Sequence, residues 1–175
     1  MIRLLRREAK RPLDMRKLKM LLPRYVKVAR YDQLRSAKTL KEAMGTHTVL
    51  ILLWNIHDKK HRVLNQPGHF FIISTKGPES CVVFSSTGMT PRKELFITQS
   101  DPTLLERILP KDTIYNNIRL QSGNDSQTCW RWAFLFAHLA QMGLKQFQSL
   151  FSKPTLNIHD PDLLATLMTY MLLVE

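Results

Sequence analysis

The chain predicts an α+β fold, a central mixed or antiparallel sheet flanked by helices, and three observations carry that prediction. Apolar runs of strand length cluster in the middle of the chain, at "HTVLILLWNI", "HFFIIST" and "CVVFSS". Helix-length segments with caps lie on either side of them. Strands and helices do not alternate as they do in a parallel βαβ fold.

The elements follow in order. Residues 1–22 read as a basic helix or arm broken at Pro12, and Pro23 separates them from one domain over residues 23–175. "RYVKVARYDQLRSAKTLKEAMG" reads as a short extended piece and then a helix that Ser36 or Thr39 caps and Gly45 ends. "HTVLILLWNI" is β-branched and aliphatic, a buried strand. "HDKKHRVLNQPG" is a polar loop. "HFFIIST", the turn "KGPES" and "CVVFSS" form a hairpin. "DPTLLERILP" is a short helix opened by Asp101, and "TIYNNIRLQS" is a fourth strand. A helix runs from about Thr128 to Met142 with Gly143 as its stop. The last helix has Asp160 as N-cap and Pro161 at its first position.

Composition narrows the function classes. With 44% hydrophobic and 23% charged residues the chain is expected to be a soluble globular protein. Its longest apolar runs, "VLILLW" and "WAFLFA", fall far short of a bilayer span, and the N-terminus lacks the apolar core of a secretory signal. Two cysteines, Cys81 and Cys129, make no disulfide framework, and no CxxC or HExxH spacing points to zinc. Of the net charge of +12, residues 1–45 hold +10, from 14 Lys/Arg against 4 Asp/Glu. A basic segment of this kind attracts polyanions by counterion release, without reading sequence. Arg3, Arg6, Arg7, Lys10, Arg11, Arg16, Lys17 and Lys19 are the expected nucleic-acid contacts.

Cys129 stands where a polar run, Gln121 to Thr128, meets an aromatic helix. A thiol at a helix start feels the positive end of the dipole and unpaired amides, which lower its pKa. Its own amide would face the same pocket as an oxyanion donor. A buried core cysteine is the alternative. A thiolate nucleophile needs a proton partner, and His69 suits the role best. It follows Pro67-Gly68 and opens a strand, at a sheet edge beside a glycine turn, whereas His57 and His61 sit in a charged loop. His138 is too far along the Cys129 helix, His159 precedes a helix, and His47 completes the six. Gln121, eight residues before the cysteine, has a side-chain amide suited to a second oxyanion donor. Cys81, Trp132, Phe134 and Phe136 read as core.

At "GHFF" (68–71), "VVFSSTG" (82–88) and "LQSGNDSQTCW" (120–130) the chain resembles the adenovirus-type, adenain-like maturation cysteine proteases. Over roughly residues 25–150 it is most similar to virophage members of the Sputnik type and, more distantly, to SUMO-type proteases. The resemblance implies a papain-like fold with Cys129 as nucleophile, His69 as general base and Gln121 in the oxyanion hole. Ser85 falls where the family has an acid or amide that orients the histidine. Trp130 stands where glycine is common after the cysteine, and Phe70 where tryptophan is usual after the histidine. The implied activity is cleavage of capsid or other virion precursors, in the virion or at the viral assembly site in host cytoplasm. No small-molecule cofactor is implied, and DNA is a candidate activator. Two other readings stand beside this one: an isopeptidase acting on ubiquitin-like proteins, and a non-enzymatic DNA-binding or assembly protein with a degenerate site.

Overall fold

A computed structural model of the chain describes residues 1–11, 15–54, 68–122, 128–152 and 158–174. The apolar runs form a five-stranded mixed sheet in the order β1 to β5: Val26–Arg30, Val49–Trp54, His69–Ser74, Val82–Ser85 and Ile114–Tyr115. The pairs β2–β3 and β3–β4 are antiparallel, and the two outer pairs are parallel. The sheet is therefore mixed, and the expected hairpin is β3–β4. β3 lies at the centre of the sheet. His69 opens a central strand at one end of the sheet, not an edge strand as the sequence reading had it.

Strand alternation sends successive side chains to two cores. Val49, Ile51, Phe70, Ile72, Val82 and Phe84 point to one face. There they meet α6 (Cys129–Leu139), α7 (Leu144–Ser149) and α8 (Pro161–Val174). Phe84 stacks on Phe136 of α6 at 4.5 Å, and Phe147 meets both edge-on. Trp132, Phe134 and Phe136 are buried here, as expected of core. Leu50, Leu52, Trp54, Phe71, Ile73 and Val83 point the other way, with Cys81 among them. A 3-10 turn (Tyr31–Ser36), α3 (Leu40–Met44), α4 (Pro91–Ile97) and α5 (Thr103–Glu106) cover that face. Both sides of the middle strands are dry, which explains their unbroken apolar character.

The caps follow the sequence where it was specific. Thr39 Oγ1 accepts from the Glu42 amide at the start of α3, and Gly45 ends the helix at φ +67°. Asp160 Oδ1 accepts from the Asp162 amide at the start of α8. Gly143, at φ +82°, closes the 3-10 turn that extends α6. Three elements depart from expectation, among them α7, which lies in a stretch with no assigned element. The fourth strand pairs at only two residues, because the Asn116 side chain takes over from the ladder and donates to the carbonyls of Ser85 and Ile118. The helix α4, within a stretch with no assigned element, begins Thr-Pro and buries Pro91, Glu94 and Leu95.

The basic segment forms α1 (Ile2–Ala9) and α2 (Met15–Leu21). Leu5, Ala9 and Leu18 enter the first core, while Arg3, Arg6, Arg7, Lys10, Arg11, Arg16, Lys17 and Lys19 are exposed. Buried Glu8 accepts from Tyr170 of α8 at 2.7 Å, and its carbonyl accepts from Arg131 of α6 at 3.0 Å.

Candidate active site

His69 is held from three sides. Gly68 precedes it because a Cβ there would collide with the Trp54 carbonyl oxygen, so the chain enters β3 pressed against the end of β2. The Trp54 ring lies 5.4 Å from the imidazole. On the same sheet face, His69 Nε2 lies 3.1 Å from Ser85 Oγ.

Ser85 is not the end of that chain of contacts. Its hydroxyl donates to Glu94 Oε1 at 2.6 Å, and Thr87 Oγ1 donates to the same oxygen. The other carboxylate oxygen, Glu94 Oε2, makes no hydrogen bond among the described residues and lies 3.9 Å from His69 Nε2. Because the Ser85 proton is committed to Glu94, Ser85 accepts from His69, and Nε2 carries the imidazole proton. Nδ1 is left with the lone pair that a general base needs. Glu94 is 3% exposed, and burial pushes its carboxyl up to about 7 against the pull of the Ser85 and Thr87 hydroxyls. Burial lowers His69 to about 4.

Sequence reading missed Glu94. The signal was present in "TPRKELF": a threonine, a proline at the first helical position and a buried face at 91, 94 and 95. A glutamate on the core-facing side of a short helix needs a partner, and here the partners are Ser85 and Thr87.

Cys129 is the first residue of α6, and α6 packs on β3. Backbone hydrogen bonds from Phe70, Trp130 and Cys129 itself stabilise the thiolate form, so the sulfur sits beside the residue that follows His69. The helix-start argument predicts a lowered thiol pKa. The reverse holds: burial outweighs these amides, with a small added push from Asp162, and the thiol rises to about 11. Around neutral pH the resting pair is thiol and neutral imidazole. The Trp130 indole donates to the Arg11 carbonyl at 3.0 Å, so this bulky side chain is anchored on the N-terminal segment.

Gln121 joins the same end of the sheet. Its amide and that of Leu120 both donate to the Ser86 carbonyl at 2.9 Å. Gly88, at φ +69°, lets this segment pass, since a Cβ there would collide with the backbone of Ile118 and Arg119. Ser86 Oγ donates to Gln121 Oε1 at 2.8 Å, which fixes the side-chain amide and makes Nε2 its donor end. Asp162 of α8 reaches the segment beyond, accepting from Ser122 and Thr128.

The structure thus brings Cys129, His69, Ser85 and Gln121 to one end of the sheet and adds Glu94, Ser86 and Asp162. The remaining histidines stand apart. His47 contacts the Met44 carbonyl, His138 contacts Phe134 of its own helix, His159 is exposed, and His57 and His61 lie outside the described residues. Cys81 is a core thiol raised by burial. Among the described residues no three His, Cys, Asp or Glu side chains cluster as a metal site requires, and no described helix is long and apolar enough to cross a membrane.

Comparison with known proteins adds little. No family model and no curated protein matches the chain. Among solved structures it is similar to the central domain of an uncharacterised protein from Legionella pneumophila. The two are 13% identical, the match covers 92% of this chain and 98% of that one, and the TM-score is 0.42. A likeness of that size carries no argument about chemistry.

Proposed function

We propose that this chain is a cysteine endopeptidase with an adenain-like, papain-related fold, acting on virion precursor proteins during maturation. The observation that carries the reading is the hydrogen-bonded chain His69–Ser85–Glu94, together with a helix-start thiol that meets the backbone of Phe70, the residue after His69. A core cysteine has no use for a buried carboxylate that polarises a neighbouring histidine through a hydroxyl.

The chemistry follows from the positions. With an extended peptide bound, the Cys129 proton passes to His69 Nδ1 as sulfur attacks the scissile carbonyl carbon. The imidazolium then formed is stabilised by ionised Glu94, through Ser85 and across the 3.9 Å to Oε2. The tetrahedral oxyanion is met by the Cys129 amide and Gln121 Nε2, the latter aimed by Ser86. His69 returns its proton to the departing amine, the carbon–nitrogen bond breaks, and water cleaves the thioester by the same base. No cofactor enters these steps.

The decisive experiment incubates wild type and Cys129→Ala with the major capsid precursor of the source virus, reading cleavage sites by mass spectrometry. Cleavage by wild type and a loss of at least about 10⁴-fold in the variant is expected. Unchanged cleavage by Cys129→Ala overturns the reading. Efficient labelling of Cys129 by a ubiquitin-like suicide probe, without precursor cleavage, moves the substrate class to isopeptide bonds.

The eight exposed basic residues in and between α1 and α2 support sequence-independent polyanion binding as a second property of the same molecule. Deleting residues 1–22 would also strip Leu5, Ala9 and Leu18 from the core. Charge reversal at Arg3, Arg6 and Lys10 is the cleaner probe. The triple variant is expected to bind duplex DNA more weakly and with a shallower salt dependence; equal affinity and slope would remove this property.

A further inference from the structure

We infer that Asp162 is a positioning residue for this site: it ties the segment that carries Gln121 to the residue that precedes Cys129, and so sets the span between oxyanion donor and nucleophile. The inference rests on the endopeptidase reading above.

Asp162 is 2% exposed, near the start of α8. Its two oxygens serve different partners. Oδ1 accepts from Thr128 Oγ1 at 2.6 Å and from Trp132 Nε1 at 2.7 Å. Oδ2 accepts from the Ser122 amide at 3.0 Å and, at 2.8 Å, shares the Ser122 hydroxyl with Asp160 Oδ1 at 2.9 Å. Three donors and a shared hydroxyl offset the hydration that a buried carboxylate loses. One oxygen therefore holds the nucleophile's helix, through the residue before it and one three residues on. The other holds the residue next to Gln121.

This is not ordinary helix capping. Asp160 already caps α8, since its Oδ1 accepts from the Asp162 amide at 3.0 Å. Asp162 is thereby free to turn its carboxylate off its own helix and onto the segment across from it. Its other backbone group is fixed too, the carbonyl accepting from Thr166 Oγ1 at 2.7 Å. Nor is it there to activate the thiol. Its negative charge adds to burial in keeping Cys129 protonated, which opposes the nucleophile. The geometric role is the one that favours the reaction, because reacting groups and oxyanion donors lose rate steeply when displaced by about 1 Å.

The two roles separate experimentally in the full chain with Cys81→Ala, which leaves Cys129 as the lone thiol. Asp162→Asn keeps an oxygen for Thr128 and Trp132 but turns an NH₂ toward the Ser122 amide. We expect kcat on the cleaved peptide to fall on the order of ten- to a hundredfold with KM within about twofold. The pH midpoint for iodoacetamide alkylation of Cys129 should move down, since a negative charge is gone. Among the described residues, the charged group bearing on that midpoint is Asp162 on α8, beside the amides of Phe70, Trp130 and Cys129. Should Asp162→Asn fail to fold, Thr128 decides. Thr128→Val removes one tie and should lower kcat, and Thr128→Ser, which keeps the hydroxyl, should restore it. Wild-type kcat in both Asp162→Asn and Thr128→Val overturns the inference, as does an Asp162→Asn that folds with an unmoved alkylation midpoint. Equal kcat in Thr128→Val and Thr128→Ser overturns it as well. Absence of cleavage by wild type defeats the endopeptidase reading instead, and the alkylation profile still reports on Asp162.

Discussion

Ser85 and Ser86 are neighbours in the chain and serve opposite halves of the site. Ser85 faces the α4 side of the sheet and joins an imidazole to a carboxylate. Ser86 turns to the segment beside α6 and holds the carbonyl end of an amide. Both are almost fully buried. One hydroxyl passes on the influence of a charge; the other sets only a direction. The difference teaches where pH dependence enters: Glu94 titrates near neutrality, whereas nothing in the Ser86–Gln121 pair does.

The strongest way to break this contrast is Glu94→Gln. Its kcat is expected to fall about a hundredfold, since the imidazolium loses its charged support. Wild-type kcat should rise as pH passes about 7, where Glu94 ionises, between the lower limit near 4 set by His69 and the upper one near 11 set by Cys129. In Glu94→Gln that rise should vanish. A hundredfold loss with the rise intact would place the titrating group elsewhere.

Stability should run the other way. The folded-state pKa of Glu94 lies above its ordinary value of 4.5, so the folded protein holds this proton more tightly than the unfolded chain. That contribution is complete below 4.5 and lost as pH rises through 7. Relative to Glu94→Gln, wild type should lose on the order of 3 kcal/mol between pH 4.5 and 8, read by denaturant melts. The form of Glu94 that the proposed reaction uses is the form that the fold resists.

The other side of the comparison is gentler. Ser86→Ala is expected to lower kcat about tenfold, because Gln121 loses the contact that fixes which end donates. The loss should be the same at pH 6 and pH 8, measured as the ratio of kcat to wild type. A pH-dependent loss would blur the distinction between the two serines.

Much of this molecule was legible in its sequence, and the rest was hidden for identifiable reasons. β2, β3 and β4 announce themselves because both faces of a central strand are dry. The starts of α3 and α8 were legible because a cap is a local event between Thr39 and Glu42, or Asp160 and Asp162. His69 and Gln121 were singled out as candidates through motif spacing. Glu94 was not, because its meaning lies in a side chain that crosses from a helix to the end of a strand nine residues earlier in the chain. The fourth strand was drawn too long because period-two patterning cannot foresee Asn116 replacing the ladder with its own amide. The thiol's direction was misjudged for a related reason. A helix start is visible in sequence, but the depth at which Phe70 and its neighbours bury the sulfur is not.

The position of Asp162 in the chain also gives the site a moment of completion. A nascent chain releases Cys129 first and Asp162 thirty-three residues later. At roughly 5–20 residues per second, the thiol leaves the ribosome seconds ahead of the carboxylate that braces it. During that interval Ser122 and Thr128 have no common anchor, and Tyr170, which grips Glu8, has not yet emerged. The site proposed here is therefore braced only once α8 has been made.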